Sequence, residues 1–131
     1  MTNYAITTTV SGAFDQVVET VIQLLAEQGL GVLTQTDVQQ ILQKKLQIDC
    51  PPYLILGACH PPSAYAALQA EPETGLLLPC NLVIMQLDNQ VQVSAIKPTV
   101  ALVSDNPQVK QIAAKIEQKL QHVIDQLPQQ L

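Results

Sequence analysis

The hydrophobic positions of this chain change their period several times, which predicts an alternation of strands and helices. Residues 4–10 are rich in β-branched side chains and precede Ser11-Gly12, so we predict a first strand there. In residues 13–28 the apolar positions recur at steps of three and four, which is the spacing of one helix face. Gly29 is typical of the position just beyond a helix end, and residues 30–35 predict a short second strand.

The next segment predicts a short helix and then a buried strand. Thr36 and Gln39 have the spacing of a capping box, so we expect Thr36 to cap this helix. Its apolar residues, which we expect to face inward, are Val38, Ile41, Leu42 and Leu46. After a break at Pro51-Pro52, residues 53–59 are apolar on both faces, a pattern typical of a central strand.

A third helix and a β-hairpin are predicted in the middle of the chain. Prolines favour the first positions of a helix, so we expect a helix from Pro61-Pro62 to about Ala70. Residues 82–87 and 91–96 have the pattern of two strands joined by a turn at residues 88–90.

The last predicted element is a long amphipathic helix. It starts at Asn106-Pro107, and Pro128 is expected to end it. The predicted order is therefore β-α-β-α-β-α-β-β-α. This order favours an α+β fold, namely a two-layer sandwich with a mixed or antiparallel sheet of about five strands and helices packed on one face.

We predict a single domain over residues 1–131, and we predict that it forms a homodimer. The length fits one domain, and no linker is long enough to divide the chain. Residues 53–56 and 82–85 are apolar on both sides of their strands, although helices are expected to cover one face of the sheet. A second copy of the chain is then expected to cover the other face.

The composition indicates an aliphatic core and argues against a nucleic-acid partner. Hydrophobic residues make up 47% of the chain, but aromatic residues only 3%. The net charge is −5, and all six basic residues are lysines. Arginine is the usual side chain for phosphate and guanine recognition, and a basic surface supplies most of the affinity for nucleic acid.

No membrane partner is expected, and the chain is predicted to be cytoplasmic. No apolar stretch approaches the length that spans a bilayer. The first residues do not combine a basic segment with an apolar run, as a secretory signal does. The three cysteines do not have the spacing of a disulfide scaffold, so we expect them to be thiols.

Two corners of the sequence carry the candidate chemistry, because each places a cysteine beside a proline and a polar residue. The first is Cys59-His60-Pro61, and the second is Pro79-Cys80-Asn81. We predict a small-ligand pocket near these corners. The expected ligand-binding residues are Cys59, His60, Cys80 and Asn81, and no cofactor is expected.

Two other hypotheses use the same corners. In the first, the protein is a thiol-dependent enzyme or redox protein in which Cys80, together with Cys59 and His60, carries the chemistry. In the second, the cysteines and His60 form a soft-metal site for zinc or copper, with Cys50 as a further ligand. The spacing contains no Cys-x-x-Cys unit, so no metal ligand is predicted, and buried cysteines often behave as small hydrophobic residues.

Three segments resemble the DUF302 family, a set of small bacterial and archaeal domains of unknown function. They are residues 53–61 (YLILGACHP), 75–84 (GLLLPCNLVI) and 91–98 (VQVSAIKP), and the resemblance extends over essentially the whole chain. The resemblance implies a two-layer α+β fold that is often dimeric, and it implies no activity. His60 departs from the family pattern, in which Asn commonly follows the first cysteine.

Overall fold

Strands and helices alternate in the computed structural model, which describes residues 2–131. The strands are β1 (Ala5–Val10), β2 (Gly31–Asp37), β3 (Tyr53–Cys59), β4 (Cys80–Leu87) and β5 (Gln90–Ile96). The helices are α1 (Phe14–Glu27), α2 (Val38–Leu46), α3 (Pro61–Ala70), α4 (Pro98–Ala101) and α5 (Pro107–Gln130), with a 3-10 helix at Pro72–Leu77. The predicted α+β class and element order are confirmed, while α4 and the 3-10 helix were not predicted.

The five strands form one sheet in the order β1-β5-β4-β3-β2, and every neighbouring pair is antiparallel. Alternate side chains of the inner strands are buried on one face of this sheet, among them Leu56, Leu82 and Val93. Helices α1 and α5 pack on that face, where Val21 and Leu120 belong to the same aliphatic core. The sheet is therefore one layer of a two-layer sandwich, as predicted.

A smaller hydrophobic cluster joins the beginning of α5 to the segment that contains α3 and the 3-10 helix. Leu102 and Val109 form it together with Ala113, and the half-buried Leu78 packs against it. Nearby, the buried Ser104 donates a hydrogen bond of 2.5 Å to the carboxylate of Glu71. These contacts hold the connection between β3 and β4 against α5.

The prediction for the start of α2 was wrong by one residue. Thr36 still belongs to β2, and the cap is Asp37, whose side chain accepts a hydrogen bond of 2.9 Å from the backbone N–H of Gln40. A carboxylate is as good an acceptor for this role as a hydroxyl.

The expected inward face of α2 was also wrong. This helix has no buried residue, and Ile41 and Leu46 are 44% and 58% exposed. The reason is its position, since α2 follows the edge strand β2 and has its main packing contacts with β3 rather than with another helix.

Strand β4 begins at Cys80, two residues earlier than predicted, and the hairpin turn and the end of the last helix also differ from the sequence prediction. The hairpin turn is Asp88-Asn89, because β5 already begins at Gln90. Helix α5 does not end at Pro128 but continues to Gln130. A proline removes one intrahelical hydrogen bond while its φ remains helical, and so close to the end of the helix this loss is small.

Within residues 2–131, no helix is both long enough and apolar enough to cross a membrane.

Candidate functional site

A cavity of about 270 Å³ lies between α3, α5 and the adjoining ends of β3 and β4. Both cysteine corners contribute to its wall, through Cys59 and His60 on one side and Pro79 and Cys80 on the other. The two corners meet because β3 and β4 pair antiparallel, with Ala58 opposite Cys80. We call this space the corner cavity.

The remaining wall of the corner cavity is almost entirely apolar. Helix α3 supplies Ala64, Ala67 and Leu68, and helix α5 supplies Ile112 and Ile116. The small alanine side chains on α3 leave space between the two helices. An apolar cavity with a few polar groups is the usual form of a small-molecule site.

Asn81 does not line the corner cavity, although it was predicted to bind the ligand. Successive residues of a strand point to opposite faces of the sheet. Cys80 is buried on the helix-covered side, and the next residue, Asn81, is exposed on the other side. Cys50 is also separate, because it lies before β3, where its carbonyl accepts a hydrogen bond of 2.9 Å from Gln39.

His60 occupies the N-cap position of α3, and its ring is held on two sides. Its Nδ1 lies 2.6 Å from the hydroxyl oxygen of the buried Ser63. On the other side is Gly29, where a Cβ atom would lie only 3.3 Å from Cδ2 of the His60 ring. Burial, together with the positive charges of Lys119 and Lys115, lowers the pKa of His60, so the imidazole is neutral at neutral pH.

The two thiols of the corner cavity are poor nucleophiles in this environment. Burial raises the pKa of Cys80 to about 11, with neighbouring Cys59 as a second cause. Burial also raises the pKa of Cys59. Only the thiolate attacks electrophiles readily, so both side chains behave as small apolar groups at neutral pH. No group of three or more His, Cys, Asp or Glu side chains in residues 2–131 is placed to hold a metal ion.

Cys80 is expected to react slowly with iodoacetamide in the folded protein at neutral pH. Its alkylation rate should rise steeply as the pH approaches about 11, because burial keeps the thiol protonated below that value. Timed labelling followed by peptide mass spectrometry measures this rate. The same reaction in concentrated urea is the control, since unfolding removes the burial and should accelerate labelling at neutral pH. Rapid alkylation of native Cys80 at mildly acidic pH would instead support the thiol-enzyme hypothesis.

Sequence reasoning missed the contribution of α5 to the corner cavity. The three- and four-residue spacing of Ile112 and Ile116 predicts only that they face inward. It does not show that α3 leaves a gap beside them. The run of alanines in α3 (Ala64, Ala66, Ala67 and Ala70) is the one sequence signal that could have indicated this gap.

Both the sequence and the fold are similar to those of known proteins. The model of DUF302, described as a domain of unknown function, matches residues 6–127. The crystal structure of an uncharacterized conserved DUF302 protein from Bacillus stearothermophilus has 31% sequence identity and a TM-score of 0.87. That match covers 96% of this chain and 99% of the other. No protein with a curated description matches.

Proposed function

Because this chain belongs to DUF302, a family of unknown function, we propose its function from the corner cavity and infer that the protein binds a small, largely apolar ligand there. The observation that carries this proposal is the cavity itself, which opens beside a few fixed polar groups. An apolar cavity between packed elements costs stability, so its presence favours a role in binding.

The polar groups of the cavity suit recognition better than covalent chemistry. The hydrogen bond between His60 and Ser63 fixes the imidazole in one orientation. The protonated thiols of Cys59 and Cys80 add polarisable surface without charge. A neutral ring and two neutral thiols orient a ligand but do not supply a strong nucleophile. The thiol-dependent enzyme therefore remains the second candidate, and the alkylation rate of Cys80 separates the two.

Filling the cavity tests this function. The neutral fluorophore phenylnaphthylamine, which brightens in apolar surroundings, serves as the probe. Ala64→Phe places a ring into the cavity wall, so we expect the affinity for the probe to fall at least about tenfold. Ala114→Phe is the matched control, because Ala114 is exposed on α5 and does not line the cavity. Equal affinity of both variants and the natural protein would overturn the proposal.

We also propose that two copies associate through the second face of the sheet. On β1, β3, β4 and β5, every side chain of that face is uncharged. Its centre is formed by the half-buried Ile55, Val83 and Met85, and a shallow depression there is bordered by Tyr53 and Ser94. A chain with a net charge of −5 can bring two copies of this face together without like-charge contacts.

Val83→Lys is expected to convert a homodimer into a monomer. Two symmetry-related lysines near the centre of an apolar interface would repel each other and lose hydration. Sedimentation equilibrium at micromolar concentration measures the mass. Leu76→Lys is the control, since Leu76 is 82% exposed on the 3-10 helix, away from this face. A monomeric natural protein, or dissociation by Leu76→Lys alone, would contradict the proposal.

We also propose that the protein works in the cytoplasm. A reducing compartment would keep Cys50, Cys59 and Cys80 as thiols, and the structure has none of these three bonded to another. Cys59 and Cys80 can then contribute to the cavity wall as small side chains.

A further inference from the structure

Two lysines of α5 lie beside the cavity wall that carries His60. Lys115 and Lys119 are separated by one helical turn, and Ile112 and Ile116 of the cavity wall are separated in the same way. Ile112 lies three and four residues before Lys115 and Ile116, and Lys119 lies four and three residues after them, so all four share one side of α5. Neither lysine lines the cavity itself, but both lie close enough to His60 for their positive charges to lower its pKa.

A hydrogen bond from its side chain holds Lys119 near the surroundings of His60. The Nζ of Lys119 donates a hydrogen bond of 3.1 Å to the carbonyl of Gln28. The next residue is Gly29, which leaves room for the His60 ring. The Lys119 ammonium is thus held near the His60 wall instead of extending freely into solvent.

The first turn of α3 adds positive potential to the same wall. His60, Ser63 and Ala64 all line the cavity, and they stand at the N-terminal end of this ten-residue helix. The N-terminus of a helix carries partial positive charge. Pro61 and Pro62 lack an N–H, so Ser63 supplies the first backbone donor of the helix. Burial is the main cause of the lowered pKa of His60, and the positive charges of Lys119 and Lys115 lower it further.

We propose that the ligand of the corner cavity is an anionic amphiphile, whose apolar chain occupies the cavity and whose single acidic head group is bound by Lys115 and Lys119 beside His60. This inference rests on the proposed binding function and adds the chemical class of the ligand. The apolar lining from α3 and α5 receives the chain. A charged head group could not lie in that part of the cavity, because its loss of hydration would not be compensated.

Displacement of phenylnaphthylamine by three eight-carbon compounds tests the charge of the head group. Octanoate, octanol and octylamine carry the same chain with a negative, neutral or positive head at neutral pH. We expect octanoate to displace the probe at a concentration about tenfold below that of octanol, the gain from one charge-assisted hydrogen bond. Octylamine should be the weakest competitor, because its ammonium group meets like charge.

Substitution of the lysines identifies the groups responsible. In the double variant Lys115→Gln and Lys119→Gln, octanoate should lose its advantage while octanol displaces the probe as before. Glutamine retains an N–H donor for the carbonyl of Gln28, so the local fold is preserved. Lys110→Gln is the control, because Lys110 is exposed on α5 and does not line the cavity. It should leave all three affinities unchanged.

The outcomes distinguish the charge of the ligand from the proposed binding function itself. Equal competition by octanoate and octanol, or an octanoate preference that survives in the double variant, would overturn the anionic ligand and leave a neutral apolar ligand in the cavity. A probe that fails to bind the natural protein would overturn the proposed function itself. A preference that the double variant loses and Lys110→Gln keeps would support both.

Discussion

Replacing Gly57 with alanine is expected to lower the free energy of unfolding by about 3 kcal/mol, at the upper end of the cost of overpacking a core. Gly57 is buried in β3, between Thr34 of β2 and Asn81 of β4. A Cβ atom at this position would overlap the hydroxyl oxygen of Thr34 and lie 2.7 Å from Cγ of Pro79. The threonine side chain can rotate away, but the proline ring cannot move without its backbone.

Gly31→Ala provides the matched control for this prediction. Gly31 lies in the neighbouring strand β2, and a Cβ atom there would have no neighbour within 4 Å. Alanine restricts the unfolded chain more than glycine does, so a change of about 1 kcal/mol or less, in the stabilising direction, is expected. Urea denaturation at one protein concentration measures both variants. Similar stabilities for Gly57→Ala and Gly31→Ala would show that Pro79 does not pack on β3 as described.

The crowding in Gly57→Ala would also affect the candidate site. Pro79 lines the corner cavity, and the next residue is Cys80. A displaced proline ring therefore changes the shape of the cavity wall. Glycine at position 57 therefore allows Pro79 of the second cysteine corner to lie close to β3.

Leu120→Ala is expected to destabilise the protein by about 3 kcal/mol, within the range of about 2–5 kcal/mol for truncating a buried leucine. Leu120 is 0% exposed in α5 and belongs to the main core between the helices and the sheet. Its removal leaves a void, because the surrounding side chains belong to a tightly packed β-sheet and two long helices. The core has few aromatic residues that could move into this space.

The same substitution on the surface is the control for Leu120. Leu76 is 82% exposed, so Leu76→Ala should change the free energy of unfolding by less than about 0.5 kcal/mol. Urea denaturation at a fixed protein concentration is again the measurement, since dimerisation would link stability to concentration. A loss for Leu120→Ala no greater than that for Leu76→Ala would contradict the position of α5 on the sheet.

Much of this fold follows from local patterns that the sequence displays directly. The spacing of apolar residues identified α1 and α5, and Asn106 is indeed the cap of α5, accepting a hydrogen bond of 2.9 Å from the N–H of Gln108. Such signals act over one or two helical turns, so they are visible without knowledge of the neighbours in space.

Burial that depends on distant neighbours could not be predicted in the same way. The apolar residues Val38, Ile41, Leu42 and Leu46 have helical spacing, yet α2 leaves Ile41 and Leu46 exposed. Only the order of strands explains this, since β2 is an edge strand. Local spacing shows which residues share a face of α2, but it does not show whether another element covers that face.

The candidate site likewise combines features that the sequence predicts with features that depend on distant contacts. Cys59, His60 and Cys80 were predicted to lie near one pocket, and they line the corner cavity. Asn81 was included because it is adjacent to Cys80 in sequence, but the alternation of β4 directs it to the opposite face. The lysines beside His60 come from α5 and lie 55 and 59 residues after it in the sequence, so spacing alone could not associate them with the cysteines.

A crystal structure of the protein with an eight-carbon alcohol tests directly whether the corner cavity binds a ligand. The alcohol carries bromine at the end of its chain. Bromine scatters anomalously, so its position is found without interpretation of weak ligand density. We predict a bromine peak inside the corner cavity, between Ala64 of α3 and Ile116 of α5. The peak should disappear in Ala64→Phe and persist in Ala114→Phe. Bromine found only on the protein surface, with the cavity unchanged, would contradict the assignment of this cavity as a ligand site.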